Sequence, residues 1–378
     1  MTSARSDIVR LLSLFYLSYF ALVGVYVVFL PKMLLQTGYT PAQVGMLFAA
    51  APLMRFVLPF LFRRLGGIRR RTYLGALIVA FASTLFFFPS LQYFSLLFPI
   101  NLLYGAAMGV ILPYVDTIAL QTIAKERYGR VRLWGSLGFM AIALWLGRVL
   151  ETPRESLIYL AVLALATLAA GWMLVRYDRS ETPSEQSGDE TLSLRRYWAF
   201  WLSAFLLQMS FGGFYNFFTI YETAHGISLE ITSWLWSFAV LCEIAMLYWQ
   251  GPLLRGNLQL LIELSVASAI LRWGILWLLP DSLTAAFLSQ SLHAVNFALY
   301  YTAAIAYVYT LYRQKKLAQQ FFLGITFGLG GAAGALIAGW IYDRRPEDLF
   351  LFEALIALAA WGMMRLHRRR KVRHVRTV

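Results

Sequence analysis

The sequence predicts an all-α integral membrane protein with twelve transmembrane helices in two pseudo-symmetric six-helix bundles. Three observations predict this class. Apolar segments of about 20 residues recur along the chain, one long hydrophilic segment falls near its middle, and the cations cluster in alternate loops. Of the 378 residues, 60% are hydrophobic and only 14% are charged. This composition overrides the two or three soluble domains that the length alone would suggest.

Each apolar segment is long enough to cross a bilayer core of about 30 Å as a helix. The segments are predicted at 9–36, 42–63, 73–90, 93–123, 129–150 and 156–176, and then at 197–224, 229–250, 257–279, 282–311, 317–342 and 348–366. The stretch DRSETPSEQSGDETL between the halves has the composition of a flexible linker. The predicted organisation is an N-terminal bundle at 1–176, a cytoplasmic linker at 177–196, and a C-terminal bundle with a basic tail at 197–378.

The lysine and arginine residues predict the orientation in the membrane. Most of the 33 lie at the N-terminus, in every second connection, or in the tail that begins at Arg365. The connections on the other side hold Lys32, Arg148, Arg154, Arg344 and Arg345. By the positive-inside rule, both termini of this multi-pass protein are cytoplasmic, in the cytoplasmic (inner) membrane. The same distribution explains the formal charge of +14 without a nucleic-acid partner.

An internal repeat supports two duplicated halves. The segment 38–41 (GYTP) opens the second predicted helix, and 226–229 (GISL) opens the eighth, half a chain length later. The same offset places Arg55 opposite Glu243. Transporters built from such repeats bind their solute near the bilayer midplane, at the interface between repeats. A rocking of 1–176 against 197–378 would then open the site to each side in turn.

Five ionisable residues fall inside the predicted spans, where a charge costs about 2.5–3.5 kcal/mol on insertion scales. They are Arg55, Asp116, Glu243, Arg272 and His293. Such groups usually face a bundle interior or a water-filled path, so they predict that a polar or charged solute crosses the membrane. Salt bridges that only join helices are the alternative interpretation. A carboxylate beside an arginine could gain and lose a proton during a transport cycle.

Polar side chains in the middle of a span favour a polar cavity, because their hydrogen-bonding groups need partners. Tyr19 lies on the first helix, and Tyr215 and Asn216 make the seventh unusually polar, so these three are predicted to line the solute site. Aromatic anchoring at the membrane interface is the alternative. Glu353, near a span end, is expected at the interface, and Glu222, close to His225, is expected at the outer surface.

No enzyme signature competes with a transport function. The chain has no P-loop, no G-x-S-x-G and no H-E-x-x-H, and no cofactor is predicted. Its four scattered histidines and single cysteine make no metal site in the sequence.

Several ordered segments resemble those of a known family. They are YGRVRLWGSLG at 128–138, the aspartate of LPYVDTIAL, W-S-x-x-V-x-x-E at 236–243, RWGI at 272–275 and Leu-His at 292–293. With these segments the chain resembles the major facilitator superfamily (MFS), and within it the proton symporter branch that contains the lactose permease and the phenylpropionic acid permease. The resemblance implies the MFS fold and a monomer.

The resemblance also implies roles for individual residues. Asp116 and Arg132 would bind substrate, and Glu243, Arg272 and His293 would link binding to proton movement. Arg55 has no counterpart in this resemblance, and it is predicted to take part in proton coupling from its position inside a span. The lactose permease branch has a proton-bearing glutamate three residues after the histidine of the tenth helix. This chain has Asn296 there, so the proton would have to be carried by Glu243, Asp116 or His293.

The predicted function is secondary active transport by a proton-coupled symporter that imports a small organic solute. An aromatic monocarboxylate is the first choice, from the resemblance and from the cations Arg132, Arg272 and His293. A sugar or nucleoside is the rival solute, since a carboxylate such as Asp116 suits hydroxyl recognition. An efflux antiporter and a non-transporting membrane sensor are the alternatives in direction and in class.

Overall fold

The computed structural model describes residues 2–64, 68–123, 125–178 and 193–376. Within these ranges the chain is helical and contains no β-strand, so the all-α fold class predicted from the sequence is confirmed. The chain divides into two compact units, Met1–Gln186 and Ser187–Val378. Most of the predicted linker, 179–192, lies outside the described residues.

The described part of the first unit contains six long helices. In α1, a π-helical turn at Val25–Phe29 joins Thr2–Gly24 to Leu30–Gln36. The other helices are α2 (Pro41–Arg64), α3 (Arg70–Ser90), α4 (Phe94–Thr122), α5 (Lys125–Val149) and α6 (Pro153–Leu174). Pro99 and Pro113 lie within α4. Prolines are tolerated inside membrane helices because side chains and neighbouring helices satisfy the freed backbone groups.

The described part of the second unit also contains six long helices, and the first of them is broken. Ser210 and Phe211 separate the two halves of α7, Trp198–Met209 and Gly212–Ala224. The remaining helices are α8 (Leu229–Trp249), α9 (Leu258–Leu278), α10 (Leu283–Ser291 and Tyr300–Leu311, with a π-helical turn at Ala294–Leu299), α11 (Lys315–Leu323 and Gly331–Arg344, with a π-helical turn at Gly324–Gly330) and α12 (Leu349–Arg376). Irregular turns of this kind are frequent at functional sites.

Ten helices of the described chain are long and apolar enough to cross a membrane, judged by length and composition. The two long helices outside this set are α5, whose first turns carry Arg127, Arg130 and Arg132, and α7, whose halves are each short. With α5 and α7 counted, the described ranges are consistent with the predicted twelve spans.

The turns that open α2 and α8 have the same local structure. Gly38 and Gly226 have φ angles of 97° and 84°, a left-handed conformation that glycine adopts without strain. Thr40 and Ser228 then cap the helices, since each side chain accepts a hydrogen bond at 3.2 Å from the backbone amide three residues later. The sequence repeat therefore corresponds to a repeated helix–turn–helix in the two units.

Glycines permit two close helix crossings, one in each unit. A Cβ atom on Gly138 of α5 would lie 2.1 Å from the carbonyl oxygen of Leu17 on α1. A Cβ atom on Gly334 of α11 would lie 2.5 Å from the carbonyl oxygen of Met209 on α7. Because a real Cβ atom cannot come so near a carbonyl oxygen, glycine is what lets these helix backbones approach.

Replacing Gly138 with alanine is expected to lower the midpoint of thermal unfolding by about 5 °C, because overpacking a tight contact costs about 1–3 kcal/mol. The matched control is Gly129→Ala on the same helix, where an added Cβ meets nothing within 4 Å. That control should leave the midpoint unchanged or raise it slightly, since alanine favours helix. Tryptophan fluorescence during heating in detergent measures both, and equal midpoints would contradict the packing role of Gly138.

Candidate functional site

A group of charged and aromatic side chains lies among α1, α4 and α5 of the first unit. We call Tyr16, Phe20, Asp116 and Arg132 the Asp116 cluster. The Tyr16 hydroxyl donates to Asp116 Oδ1 at 2.7 Å, and Arg132 Nε lies 3.9 Å from the same oxygen. The fold thus brings together the two residues that the sequence predicts to bind substrate, and it adds Tyr16 as a hydrogen-bond partner of Asp116.

The guanidinium group of Arg132 packs on two aromatic rings. Its central carbon lies 5.0 Å from the ring centroid of Tyr16 and 4.3 Å from that of Phe20. Each such cation–π contact contributes about 0.5–2 kcal/mol, depending on how far the cation is removed from water. Gly135 of α5 makes the approach possible, because a Cβ atom there would lie 2.6 Å from a ring carbon of Phe20.

Asp116 and Arg132 keep hydrogen-bonding capacity for a solute, although the side chain of Tyr128 also bonds to both of them. Their side chains are 27% and 32% exposed, and their separation of 3.9 Å is too long for a direct hydrogen bond. The guanidinium group carries five N–H donors, and the rings of Tyr16 and Phe20 hold it in place. The cluster can therefore bind an anionic or hydroxyl-bearing group without first breaking a tight internal ion pair.

Two other predicted site residues of the first unit are not in this cluster. Tyr19 is 4% exposed, and its hydroxyl donates to the backbone oxygen of Met108 at 3.2 Å. Arg55 of α2 is exposed, and its charge acts on the phenol groups of Tyr19 and Tyr26. The hydroxyl of Tyr19 is therefore fixed by a bond to the backbone, whereas the side chain of Arg55 is exposed.

In the second unit, Arg272 of α9 is fully buried and bonds to side chains of α10. Its Nη1 atom lies 2.8 Å from His293 Nδ1 and 3.3 Å from Asn296 Oδ1, and Nη2 donates to Gln290 Oε1 at 2.9 Å. The three partners are spaced three residues apart, which puts them on one helix face. We call Glu243, Arg272, Gln290, His293 and Asn296 the Arg272 network; the sequence gave no role to Gln290.

Aromatic rings surround the rest of the Arg272 guanidinium group. The ring centroids of Phe214, Trp273 and Phe211 lie 4.1, 4.5 and 5.7 Å from its central carbon. Arginine suits such a site, because its delocalised cation is weakly hydrated and stacks on aromatic faces. Its Nε atom has no hydrogen-bond partner among the described residues, so the network does not use all of its donors.

The bond between Arg272 and His293 indicates which imidazole nitrogen carries the proton. Arginine only donates, so Nδ1 must accept, and a neutral His293 then carries its hydrogen on Nε2. That atom faces Glu243 Oε2 at 3.8 Å. A proton added to Nδ1 would break the bond to Arg272 and strengthen the attraction between His293 and Glu243. The network can thus adopt two arrangements that differ by one proton.

Tyr215 and Asn216 lie in the second half of α7, just after its break. Tyr215 is partly exposed, stacks on Phe211 with ring centroids 5.8 Å apart, and lies within reach of the Arg272 charge. Asn216 is 8% exposed, and its Nδ2 donates to the backbone oxygen of Gly212 at 2.7 Å. Of these two predicted site residues, Tyr215 is the one beside the Arg272 network.

Two buried carboxylates show that the sequence-based expectations for Glu353 and Glu222 were wrong. Glu353, expected at the membrane interface, is 2% exposed, and Glu222, expected at the outer surface, is 0% exposed. Their positions near span ends were misleading, because neighbouring helices cover both side chains. For Glu353 the sequence did contain a signal. The pair Gly212-Gly213 allows α7 to break, and a broken helix exposes backbone amides that bind an anion.

The two sites offer hydrogen bonds, cation–π contacts and proton exchange. Among the described residues, no group of three His, Cys, Asp or Glu side chains could hold a metal ion. The sites lie on helices that are long and apolar enough to cross a membrane, or on the charged and broken helices packed with them. This combination of fold and buried ionisable groups defines a multi-pass membrane transporter.

The chain belongs to the MFS_1 like family, whose model matches residues 9–352, and it is a transporter of the MFS type. It is 26% identical over 365 residues to the "Probable 3-phenylpropionic acid transporter" of Escherichia coli (strain K12), which covers 93% of this chain and 96% of that protein. It is 24% identical over 270 residues to the "Uncharacterized transporter YwbF" of Bacillus subtilis (strain 168), which covers 69% of this chain and 67% of that protein.

Solved structures share the fold. The nucleoside transporter NupG superposes with a TM-score of 0.79 and 15% identity, over 96% of this chain and 99% of NupG. The POT family transporter PepTSo gives a TM-score of 0.75 and 10% identity, over 96% of this chain and 98% of PepTSo. At these identities the likeness establishes the fold, and the solutes of those proteins do not transfer with it.

Proposed function

We propose that this protein is a proton-coupled symporter that imports a small organic solute by alternating access. The observation that carries the proposal is the linked series Glu243, His293 and Arg272, in which two groups that exchange protons stand next to a fixed, buried cation. Ionisable residues within membrane helices commonly form proton relays in transporters. A structural ion pair would not need a histidine whose two ring nitrogens face an arginine and a carboxylate.

In the proposed cycle, a proton from the outer side reaches His293 or Glu243 and the solute binds at the Asp116 cluster. Protonation of His293 releases the Arg272 bond, so the network changes its arrangement when a proton arrives. Loss of the proton to the cytoplasm restores the bond between His293 and Arg272. Because the proton moves down its gradient, the solute can be accumulated against its own.

An aromatic monocarboxylate is the solute that we propose. The Arg132 guanidinium group offers paired donors that match a carboxylate, and the rings of Tyr16 and Phe20 beside it could pack on an aromatic group. The similarity to the probable 3-phenylpropionic acid transporter of Escherichia coli supports this choice. A sugar or nucleoside is the second candidate, favoured by the partly exposed Asp116 carboxylate, which can accept hydrogen bonds from hydroxyl groups.

We further propose that the protein lies in the cytoplasmic (inner) membrane as a monomer, with both termini in the cytoplasm. The proposed halves are 1–176 and 197–378, joined by a cytoplasmic linker at 177–196. The arginines at the start of α5 and the end of α12 support this orientation, because cytoplasmic loops collect positive charge. Labelling of single cysteines placed near each terminus, from one side of inverted vesicles, tests it.

Uptake by proteoliposomes under an imposed proton gradient tests the function. The panel contains phenylpropionate-like acids, sugars and nucleosides, each assayed with and without a protonophore. Accumulation of one class that the protonophore abolishes would support both the coupling and that solute class. Uptake that only equilibrates and ignores the protonophore would contradict proton coupling. Flux in the outward direction alone would indicate an antiporter, and solute-dependent tryptophan quenching without flux would indicate a sensor.

Replacing Glu243 with glutamine is expected to abolish accumulation while exchange of labelled for unlabelled solute continues. Glutamine keeps the size and hydrogen-bonding capacity of the side chain but cannot exchange a proton with His293. The control is Glu230→Gln in the first turn of the same helix, where a lost charge costs about 0.3–1 kcal/mol of helix stability. Accumulation that persists in a folded Glu243→Gln protein would remove Glu243 from the coupling mechanism.

A further inference from the structure

Glu353 of α12 is buried beside the break in α7. Its Oε1 atom accepts a hydrogen bond from the backbone amide of Gly213, and its Oε2 atom has no partner among the described residues. Gly213 leaves the space for this carboxyl group, since a Cβ atom there would lie 2.7 Å from Oε1 and 2.9 Å from Cδ. The side chain therefore occupies a fitted site that the Glu243 and His293 relay does not use.

The break in α7 places a helix N-terminus beside the Glu353 carboxyl group. The helix Gly212–Ala224 begins there, and the amides of Gly213 and Phe214 act on the Glu353 carboxyl group. A helix N-terminus carries a partial positive charge, which stabilises an anion. Trp273 closes the site by stacking on Phe350 with ring centroids 5.7 Å apart and donating to Ser210 Oγ at 3.3 Å.

Arg272 is the side chain whose positive charge acts on Glu353. It comes from α9, and the two charges act on each other across the packed helices. The hydrogen-bond partners of Arg272 on α10 are the side chains of Gln290, His293 and Asn296, none of which carries a fixed negative charge. Glu353 therefore provides a negative charge that α10 does not, and Arg272 interacts with this charge as well as bonding to His293.

We propose that Glu353 is a second carboxylate that takes up and releases the coupling proton. Arg272 would interact alternately with Glu353 and with the His293 and Glu243 pair, depending on which of them carries the proton. This inference rests on the proposed proton-coupled function. The combination that supports it is a carboxyl group that is 2% exposed, an oxygen without a partner among the described residues, and the charge of Arg272, which also bonds to His293 of the relay. A buried polar group without a partner is costly, and far more so when it is ionised.

The proton step changes one bond and one charge. The Glu353 carboxylate binds a proton from the outer aqueous phase at Oε2 and becomes a neutral carboxylic acid, while Oε1 keeps the Gly213 amide. The attraction between Glu353 and Arg272 is then lost, and the arginine is free to interact with Glu243 and His293. Release of the same proton to the cytoplasm restores the carboxylate and its attraction to Arg272.

The test compares Glu353→Gln with wild-type protein in proteoliposomes that contain a pH-sensitive dye. The variant is expected to lose at least about tenfold in gradient-driven accumulation and to lose solute-driven proton entry. Exchange of labelled for unlabelled solute without a gradient should stay within about twofold of wild type. Glu347→Gln, at an exposed position in the turn just before α12, is the matched control and should retain both activities.

A second variant keeps the proposal testable if Glu353→Gln does not fold. Gly213→Ala retains the carboxyl group but pushes it away from the amide, and it should also reduce accumulation more than exchange. A folded Glu353→Gln protein that accumulates like wild type would overturn the role of Glu353 and leave the proposed function standing. If Glu353→Gln lost exchange as well as accumulation, the proton-carrying role of Glu353 would be overturned and a packing role supported. Absence of proton-driven uptake in wild type would overturn the proposed function itself, and this inference with it.

Discussion

Replacement of Arg272 with lysine is expected to lower the rate of solute uptake by at least about 100-fold, which corresponds to about 2.7 kcal/mol. The positive charge is kept, but the planar fork that reaches His293 and Gln290 with two nitrogens is lost. Leaving one buried polar partner unsatisfied costs about 1–3 kcal/mol, and lysine would leave more than one. Stacking of the guanidinium group on Phe214 would be lost as well.

Exchange of labelled solute and gradient-driven uptake should both fall in Arg272→Lys. Without the guanidinium group, the network can form neither the arrangement with the Arg272–His293 bond nor the one that follows protonation of His293. Size-exclusion elution and the thermal midpoint show whether the variant is folded. The matched control is Arg255→Lys in the exposed turn between α8 and α9, which should transport like wild type. If folded Arg272→Lys protein transported within about twofold of wild type, charge alone would suffice and the bonding geometry would be irrelevant.

Replacement of Arg132 with glutamine is expected to raise the half-saturating concentration of a monocarboxylate solute by about 30–100-fold. A charge-assisted hydrogen bond contributes about 1.5–3 kcal/mol, and in the proposed site Arg132 makes it to the solute carboxylate. The two ring contacts that position the guanidinium group would also be lost. The maximal rate should change less, because the Arg272 network is intact.

The control for this second prediction is Arg130→Gln, an exposed arginine two residues earlier on α5. Initial uptake rates over a range of solute concentrations separate the half-saturating concentration from the maximal rate. Asp116→Asn distinguishes the solute classes in the same assay. It should impair a sugar or nucleoside, which needs the carboxylate, more than a monocarboxylate, which does not. An unchanged half-saturating concentration in Arg132→Gln would exclude Arg132 from the site.

The sequence predicted the fold class well because its signals are local and strong. Apolar spans form helices in a bilayer because every backbone N–H and C=O group needs a hydrogen-bond partner there. The segments GYTP and GISL form the two capped turns observed at Gly38 and Gly226. It also indicated Asp116, Arg272 and His293 as polar groups in apolar surroundings, and the family resemblance added Arg132. Their pairing within each unit depends on which helix faces meet, and single-sequence periodicity does not contain that information.

What the amino-acid sequence by itself determined is the number and apolar character of the helices, the repeat, and the presence of charges that hydrocarbon would reject. Only the tertiary structure decided which of those charged side chains are buried and which residues they contact. Glu353 and Glu222 lie near helix ends in the sequence, yet both are covered, because burial depends on the neighbours that pack over a side chain. The break in α7 and the missing side chain of Gly213 make room for the Glu353 carboxyl group, whose charge then acts on that of Arg272. Contacts between residues so distant in sequence arise from packing alone, since no local propensity encodes them.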